Sequence, residues 1–329
     1  MMHKSILITG GTGSFGQAYV RNLVVKNKNI KRLVIFSRDE LKQNLMSEEF
    51  SEKKYPFIRY FLGDVRDYQR LSRALDRIDL VVHAAALKQV PAAEYNPIEF
   101  IKTNVIGAQN IIEACLSNKV KKVIALSTDK ACAPINLYGA TKLCSDKLFI
   151  AANNYAGKET NFSIVRYGNV LGSRGSVLPL VLKAKKNNTN FNLTSKKMTR
   201  FSITLQEGVK VVEWASTNLS GGEILVPKIP SYNLETLLKA ASANTKFKIS
   251  GLRKGEKMHE EMIAAGDSYT TYDIGNYFLI LPDSTKKRCD TYKKKFKIFK
   301  KVAENFSYNS KDNKQFLNTE EIKQMIKNY

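Results

Sequence analysis

The feature that most restricts the fold is a glycine-rich turn near the N-terminus, set between an apolar strand and a helix. Residues 4–9 have the length and composition of a buried strand, and apolar residues recur at helical spacing over 18–26. Glycines let the backbone turn tightly and approach a pyrophosphate at the N-terminus of the helix. We therefore predict a dinucleotide site, with an ordinary glycine-rich loop as the alternative. Its predicted contacts are Gly10, Thr12, Gly13, Ser14, Phe15 and Gly16.

The end of the second predicted strand bears on the choice of nicotinamide cofactor. Residues 33–36 form this strand, and Ser37, Arg38 and Asp39 follow it. A hydroxyl and a guanidinium suit the 2′-phosphate of NADP, whereas a carboxylate here accepts a hydrogen bond from the ribose 2′-OH of NAD. The order of these residues favours NADP, and Asp39 leaves NAD open. Lys42, in the next segment, is also predicted to contact the cofactor.

Further cofactor contacts are predicted after a third strand at 58–62 and a fourth at 79–82. Asp64 is placed to accept a hydrogen bond from an adenine amino group, with a helix cap as the alternative. Lys88 either reaches a substrate phosphate or hydroxyl or is simply solvated. His83 is expected to pack within its strand. The predicted contacts in these segments and in a helix over 96–117 are Asp64, Val65, Ala84, Ala85, Ala86, Lys88 and Asn104.

A strand and a helix between residues 122 and 142 carry a tyrosine and a lysine suited to proton transfer. Residues 122–126 are predicted as a buried strand, and Asn136 as the cap of a helix with Tyr138 and Lys142 one turn apart. The protonated amine is expected to ease ionisation of the phenol. Such a tyrosine can take a proton from a sugar hydroxyl while a cofactor takes the hydride.

Asp129 and Lys130, just after the same strand, add an acid and a base that simple hydride transfer does not need. They lie at the carboxyl end of a parallel strand, where open α/β sheets bind their ligands. A lysine that acts as a base must be neutral, which predicts a pKa lowered by burial or by nearby cations. An aspartic acid that acts as an acid must be held protonated by desolvation.

The first half of the chain alternates strands and helices and ends with a sixth strand at 162–167. This alternation predicts an α/β fold with a doubly wound parallel sheet. We assign residues 1–167 to a cofactor-binding domain and 168–329 mainly to a substrate-binding domain, and we expect the boundary to be discontinuous. A shaped loop is predicted over 168–175 and an amphipathic helix over 316–326.

The net charge of +23 suits nucleic acid, an anionic membrane surface or a negatively charged small ligand. The charge is dispersed and no aromatic and basic recognition motif accompanies it, so nucleic acid is disfavoured. The 3 histidines are scattered and the 4 cysteines lack metal-type spacing, which leaves little for a metal site or a Ser-His-Asp triad. The sequence offers no apolar segment long enough to span a bilayer, and we expect a cytoplasmic protein.

Taken together, the glycine turn and the Tyr138/Lys142 pair resemble those of an extended short-chain dehydrogenase/reductase. The closer resemblance is to the inverting UDP-N-acetylglucosamine 4,6-dehydratases of pseudaminic acid biosynthesis. Asp129-Lys130 is the discriminating pair, because retaining dehydratases carry Asp-Glu there and 4-epimerases have neither. The segments that carry the resemblance, in the family's order, are TGGTGSFG from Thr9, FSRDE from Phe36, GDVRD from Gly63, HAAALKQVP from His83, STDKACAPINLYGATK from Ser127, RYGNVLGSRGSV from Arg166, MTRF from Met198 and GEKMHEEM from Gly255.

The resemblance implies a Rossmann-type sheet with a smaller C-terminal α/β domain that binds the substrate. It also implies that Tyr138, aided by Lys142, removes the C4 hydroxyl proton as hydride passes from C4 to NADP⁺, and it adds Thr128 to the catalytic residues. Lys130 then takes the C5 hydrogen and Asp129 protonates the departing C6 hydroxyl. Hydride returns to C6 and a proton to the opposite face of C5, which gives UDP-2-acetamido-2,6-dideoxy-β-L-arabino-hex-4-ulose.

The same resemblance implies a set of contacts with UDP-N-acetylglucosamine and a homo-oligomer, which could be a hexamer. Arginines set near turn residues suit phosphate or uracil, although each one taken singly is better explained as a surface charge. The substrate contacts are Lys88, Lys130, Tyr167, Asn169, Ser173, Arg174, Val177, Thr199, Arg200, Arg253 and Glu256. The alternatives are a retaining sugar-nucleotide dehydratase, a C4 epimerase, or a non-catalytic NADP-binding scaffold.

Overall fold

Strands and helices alternate through the first half of the chain. The computed structural model describes residues 3–26, 29–157, 159–173, 176–187, 189–241 and 247–327. The first-half elements are β1 (Ser5–Thr9), α1 (Ser14–Lys26), β2 (Arg32–Ser37), α2 (Glu40–Glu49), β3 (Ile58–Leu62), α3 (Tyr68–Ala74), β4 (Leu80–His83), α4 (Val90–Tyr95), α5 (Pro97–Phe100), α6 (Gly107–Ser117), β5 (Lys122–Thr128), α7 (Leu137–Ala152) and β6 (Asn161–Tyr167). A π-helical turn, Ile101–Ile106, joins α5 to α6, and a 3-10 turn, Asp129–Ala131, follows β5.

The second half mixes shorter strands with helices. Its elements are β7 (Asn169–Val170), α8 (Val177–Lys186), β8 (Phe191–Leu193), β9 (Thr199–Ile203), α9 (Leu205–Asn218), β10 (Ile224–Pro227), β11 (Ser231–Asn233), α10 (Leu234–Ala241), β12 (Phe247–Ile249), β13 (Glu261–Ile263), β14 (Thr271–Asp273), β15 (Tyr277–Ile280), α11 (Lys286–Lys295), β16 (Lys300–Lys301), β17 (Tyr308–Asn309) and α12 (Thr319–Lys327). Among the described helices, none has the length and apolar character of a membrane span.

One large sheet organises the fold. Its strand order is β16-β14-β15-β10-β6-β5-β4-β1-β2-β3, and the pairs from β10 to β3 are parallel. β15 joins β10 in antiparallel pairing, and β14 and β16 continue that edge. The strand order reverses between β1 and β4, which is where doubly wound sheets bind ligands. The predicted α/β class with a doubly wound parallel sheet is confirmed.

The large sheet takes strands from beyond residue 167, because β10, β14, β15 and β16 all belong to it. A second group of buried apolar side chains lies apart from the sheet, on α8, α10 and α12. We therefore propose a discontinuous division, in which the strands of the sheet from the second half go with residues 1–167. The remainder, centred on the second apolar group, is the proposed substrate-binding unit.

Two local predictions in the second half are corrected by the structure. The loop predicted over 168–175 contains β7, whose Asn169 pairs with Ser202 of β9. Gly168 permits this pairing, since a Cβ there would lie 2.4 Å from Cβ of Phe201. Two residues are too few for a periodic signal, so the pairing could not be read locally. The helix predicted from residue 316 begins instead at Thr319.

His83 packs within β4, as predicted. Its Nδ1 lies 2.9 Å from Oγ1 of Thr9, which accepts hydrogen bonds from the backbone N–H groups of Ala84 and Ala85. The threonine hydroxyl therefore donates its own proton to Nδ1, which fixes the ring as neutral. Burial, followed by the charge of Lys142, lowers the pKa of His83 to about 3.

We expect this neutral histidine to make folding stability depend on pH. An unfolded histidine binds a proton below about pH 6.5, whereas folded His83 does not until about pH 3. The unfolded state thus binds more protons in this window, and stability is lost as the pH falls through it. Denaturant unfolding should show the wild type losing about 2 kcal/mol more than His83→Gln between about pH 7.5 and about pH 5. If the free energy of unfolding changed with pH in the same way for the two proteins, the assignment of a lowered pKa to His83 would be wrong.

Candidate active site

The glycine-rich turn packs against the loop that follows β4. Gly10 has a φ of +64°, and a Cβ there would lie 3.0 Å from Cα of Ala85. A Cβ at Gly16 would lie 2.3 Å from the carbonyl oxygen of Gly11. Space requires glycine at both positions, and the left-handed backbone requires it again at Gly10. The turn leads directly into the N-terminus of α1 at Ser14, which favours an anionic group.

A cavity of about 700 Å³ lies against this turn and the ends of the neighbouring strands. Most residues predicted to contact a nicotinamide dinucleotide line it: Gly10, Thr12, Gly13, Ser14, Phe15, Gly16, Ser37, Arg38, Asp39, Lys42, Asp64, Val65, Ala84, Ala85, Ala86, Lys88, Tyr138 and Lys142. The glycine cradle at a helix N-terminus and the small residues after β4 fit such a group. Asn104 is the predicted contact that does not line the cavity.

The end of β2 is braced from inside the protein. The buried Ser37 hydroxyl accepts hydrogen bonds from Oγ1 of Thr12 at 3.1 Å and from Nε2 of Gln43 at 3.2 Å. Its own proton remains to be donated. Asp39 caps α2, accepting a hydrogen bond from the backbone N–H of Lys42 at 2.9 Å, and also pairs with the Lys42 ammonium. Asp39, the carboxylate that could have accepted a hydrogen bond from the ribose of NAD, thus caps a helix.

Arg38 and Asp64 face each other across the edge of the cavity. Nη1 of Arg38 lies 3.7 Å from Oδ2 of Asp64, whose carboxylate also accepts hydrogen bonds from Arg66. Burial raises the pKa of Asp64, but the Arg66 hydrogen bonds and the two guanidinium charges outweigh it and lower the pKa below its usual value. The helix-cap alternative for Asp64 does not hold, because Asp67 caps α3.

The side chains of Thr128, Asp129 and Lys130, at the end of β5, are joined by hydrogen bonds. Oγ1 of Thr128 donates to Oδ1 of Asp129 at 2.8 Å, and Nζ of Lys130 donates to the same oxygen at 3.1 Å. Asp129 is fully buried, and its Oδ2 has no hydrogen-bond partner among the described residues. Burial raises the pKa of Asp129 more than the Lys130 charge lowers it. This is the direction predicted for an acid held protonated by desolvation.

The pKa of Lys130 is shifted in the direction opposite to the predicted one. Its Nζ lies 3.1 Å from Oδ1 of Asp129 and 3.2 Å from Oε1 of Glu260, and it donates to Oδ1 of Asn169 at 3.3 Å. Burial lowers the pKa of Lys130, but the two carboxylates outweigh burial and raise it well above the ordinary value. The predicted lowering of the Lys130 pKa is therefore wrong for this structure, in which Lys130 is an ammonium held between the side chains of Asp129 and Glu260.

Tyr138 and Lys142 lie one turn apart on α7, which begins after its predicted cap, Asn136. Burial raises the pKa of Tyr138 to about 12, although Lys130 and the Thr128 hydrogen bond lower it. The prediction that Lys142 eases ionisation of this phenol is thus not met here. The Lys142 ammonium donates instead to the carbonyl oxygen of Leu126 at 2.9 Å, and burial lowers its pKa.

Asn104 lies in the π-helical turn and braces the loop after β4. Its Oδ1 accepts from the backbone N–H of Leu87, and its Nδ2 donates to the Leu87 carbonyl and to Oγ1 of Thr141, at 2.9 to 3.0 Å. From the sequence, Asn104 is expected to position either the cofactor or a backbone carbonyl, and the structure shows the contact with a backbone carbonyl. π-helical turns occur often at functional sites, and this one ties the cavity wall to α7.

A second cavity of about 210 Å³ adjoins the first at Lys130 and Asn169. It is bordered by residues 253–257 and by Arg200, whose side chain is buried and whose Nη2 lies 3.5 Å from Oε1 of Glu256. The alternative that Arg200 is a surface charge does not hold, whereas Arg253 is 60% exposed. The predicted substrate contacts that line the second cavity are Lys130, Asn169, Val177, Arg200, Arg253 and Glu256, and those that line the first are Lys88, Lys130, Tyr167, Asn169 and Ser173.

Two predicted substrate contacts fall elsewhere. Thr199 is buried and lines neither cavity, because its hydroxyl is hydrogen-bonded to Nδ1 of His259 at 2.8 Å and to Oγ of Ser310 at 2.7 Å. Its neighbour Arg200 takes the place on the cavity wall, since successive strand residues point to opposite faces. Arg174 lies outside the described residues.

Glu260 and Tyr232 were not predicted as site residues, yet both line the second cavity. Glu260 is 2% exposed and contacts both Lys130 and Arg200. Its Oε1 lies 3.5 Å from Nε of Arg200. The only sequence signal for Glu260 is its place in GEKMHEEM, where two adjacent glutamates stand at the start of β13. Which of the two turns inward depends on the pairing of β13 with the distant β17.

The fold and the site together define an extended short-chain dehydrogenase/reductase, with a doubly wound sheet, a glycine cradle and a tyrosine and lysine one turn apart on the helix after β5. In the described part of the chain, no three His, Cys, Asp or Glu side chains are grouped as metal ligands.

Comparison with known proteins narrows this class. The family model described as Polysaccharide biosynthesis protein matches residues 6–282. UDP-N-acetylglucosamine 4,6-dehydratase (inverting) from Campylobacter jejuni subsp. jejuni serotype O:23/36 (strain 81-176) is 51% identical, over 98% of this chain and 97% of its own. UDP-glucose 4-epimerase from Rickettsia bellii (strain OSU 85-389) is 42% identical, over 99% and 96%. The X-ray structure of Pen from Bacillus thuringiensis is 36% identical, with a TM-score of 0.88 over 99% of this chain and 98% of that one.

The chain therefore belongs to the polysaccharide biosynthesis protein family, alongside the inverting UDP-N-acetylglucosamine 4,6-dehydratases. The resemblance found in the sequence is confirmed.

Proposed function

We propose that the chain is an NADP-dependent UDP-N-acetylglucosamine 4,6-dehydratase that inverts C5. The observation that carries the proposal is the Asp129–Lys130 pair, whose side chains are 3.1 Å apart, with Lys130 lining both cavities and Asp129 buried beside it. An acid and a base side by side can remove a C5 hydrogen and protonate a C6 hydroxyl in the same step. A 4-epimerase needs no such pair, which argues against that activity despite the 42% identical relative.

The roles of the residues follow from their chemistry. A bound nicotinamide cofactor supplies reversible hydride transfer. Tyr138 takes the C4 hydroxyl proton, Lys130 takes the C5 proton of the 4-keto sugar, and Asp129 protonates the C6 oxygen, which leaves as water. Because burial raises the pKa of Tyr138 to about 12, the positive charge of an oxidised nicotinamide would favour the phenolate.

NADP is the cofactor that we propose, held by the residues predicted from the sequence. The glycine turn and α1 would hold the pyrophosphate, and Ser37 and Arg38 the 2′-phosphate. Ser37 has a proton to donate and Arg38 is half-exposed at the cavity edge. Asp39 supports the choice, because its role as the cap of α2 competes with a bond to a ribose 2′-OH.

The assembly and the pathway are proposed on the family resemblance. We propose a homo-oligomer, which the resemblance suggests could be a hexamer. We also propose that the product enters pseudaminic acid biosynthesis at its first step and, through it, flagellin glycosylation. We propose no role for nucleic acid, because the basic residues are dispersed.

The test is incubation of the purified protein with UDP-N-acetylglucosamine and NADP⁺ in D₂O, followed by mass spectrometry and proton NMR. We expect loss of one water and deuterium at an inverted C5. Deuterium at a retained C5 would move the chain to the retaining dehydratases, and an unchanged mass with C4 epimerised would make it an epimerase. Bound cofactor without any reaction would point to a scaffold.

A further inference from the structure

Lys130 has two carboxylates within hydrogen-bond distance, and the reaction proposed above accounts for only one of them. Oδ1 of Asp129 lies 3.1 Å from Nζ and Oε1 of Glu260 lies 3.2 Å from it. Both carboxylates are buried, and each has one oxygen without a hydrogen-bond partner among the described residues. A buried cluster of this kind shares its protons, so the state of each group depends on the others.

The two carboxylates have different surroundings. Glu260 has a second cation, because Nε of Arg200 lies 3.5 Å from its Oε1, whereas Asp129 has the Thr128 hydroxyl in addition to Lys130. An extra cation favours the charged form of Glu260. The elements around the cluster contribute further charged and polar groups that act on it, namely Lys88, Thr128, Tyr138, Arg200, Tyr232 and Lys257. Of the two groups, therefore, Glu260 is the one that favours the negative charge and Asp129 the one that more readily carries a proton.

A cationic Lys130 cannot accept the C5 proton, so it must first lose one of its own. If Asp129 already carries the proton that it will donate, Asp129 cannot take another. We propose that Glu260 is the acceptor that converts Lys130 from an ammonium into a base while Asp129 keeps its own proton. Glu260 acts through Lys130 and is a positioning residue for the proposed dehydration, on which this inference rests.

The protons balance over the step. An N–H bond at Nζ of Lys130 breaks and an O–H bond forms at Oε1 of Glu260. The C5–H bond then breaks, its electron pair forms the C5–C6 double bond, and the proton goes to Nζ. The C6–O bond breaks toward oxygen, which takes the Asp129 proton and leaves as water. Lys130 afterwards passes a proton to Asp129 and takes one from Glu260, which restores the starting state.

The proposal predicts an unusual pH dependence for Glu260→Gln. In the wild type, Asp129 must be protonated while Lys130 gives its proton to Glu260, so the rate of water loss falls as the pH rises through the pKa of Asp129. Without an acceptor at position 260, the remaining activity uses one proton shared within the Asp129–Lys130 pair. The pair keeps that proton until the pH is high enough to deprotonate Lys130. For Glu260→Gln we therefore expect a rate of water loss at least about tenfold lower, and we expect the fall of this rate at basic pH to occur at a higher pH than in the wild type.

The experiment compares pH profiles of water loss from UDP-N-acetylglucosamine for the wild type, Glu260→Gln and Glu260→Asp, with Glu261→Gln as the matched control. Glu261 is the adjacent glutamate, outside both cavities. Glu260→Asp should restore part of the rate, and its rate should fall at the same basic pH as in the wild type. Glu261→Gln should keep both the wild-type rate and the wild-type pH profile. A loss of rate at every pH without a shift of the fall at basic pH, or an unchanged or faster rate in Glu260→Gln, would overturn the proposal.

A second readout does not depend on the substrate. Infrared titration of the protein without substrate should show the band of a protonated carboxyl group, and this band should be missing in Asp129→Asn. In Glu260→Gln the same band should appear only at a lower pH than in the wild type. If the wild type fails to convert UDP-N-acetylglucosamine but the band behaves in this way, the proposed function fails and the proton arrangement stands. If that band is missing from the wild type, or unmoved in Glu260→Gln, the arrangement itself is wrong.

Discussion

Asp129→Asn should oxidise its substrate at C4 and then stop. The asparagine amide keeps the size of the buried side chain but has no acidic proton for the C6 oxygen, so water is not expelled. Loss of a general acid commonly lowers a rate by about 10² to 10⁴-fold, and we expect a decrease of that size here. Absorbance of reduced nicotinamide, followed after addition of UDP-N-acetylglucosamine, should rise and persist.

The control for this variant is Asp76→Asn, whose side chain is 62% exposed and remote from the cavities. It should turn over at the wild-type rate with no lasting signal from the reduced cofactor. Water loss by Asp129→Asn within a few-fold of the wild type would remove Asp129 from the role of acid. Failure to reduce the cofactor at all would show instead that the variant blocks an earlier step.

Tyr138→Phe should fail one step sooner. The phenylalanine ring fills the same buried space, but the base for the C4 hydroxyl is gone, so hydride transfer from C4 has no accompanying proton acceptor. We expect turnover to fall by about 10² to 10⁴-fold, with no rise in the absorbance of reduced nicotinamide. Stopped-flow absorbance with the same substrate makes the measurement and separates this variant from Asp129→Asn.

Tyr95→Phe is the matched control for the tyrosine, because Tyr95 is 86% exposed. Its turnover should equal that of the wild type. Thermal unfolding of Tyr138→Phe should stay close to the wild type as well, since only one hydroxyl is removed. If Tyr138→Phe still reduces its cofactor at a comparable rate, another base acts on the C4 hydroxyl.

The sequence was most informative where a short local pattern determines structure. The glycine turn before α1, the apolar strands and the cap at Asn136 each depend on a few neighbouring residues, and the structure has all of them. The residues predicted to contact the cofactor follow strand ends, and parallel strands bring those ends to one edge of a sheet. This is why residues far apart in the sequence line one cavity.

Features that depend on distant contacts could not be predicted. The charge of Lys130 is set by Glu260, which is brought to it only when the second half of the chain folds against β5. Thr199 and Arg200 alternate on one strand, and no local signal told which side faces the cavity. The π-helical turn around Asn104 is equally hidden, because apolar spacing along α5 and α6 resembles one ordinary helix.

The place of β10 beside β6 has a consequence for synthesis on the ribosome. The partner of β6 (Asn161–Tyr167) on one side, β5, is synthesised before it, but its partner on the other side, β10 (Ile224–Pro227), is synthesised only after the whole of α8 and α9. Until then the nascent chain carries an open parallel edge at Ile164 and Val165. Unpaired strand edges of this kind invite pairing with other chains. The interval before β10 appears is thus the period in which translation speed and chaperones should matter most for the yield of folded protein.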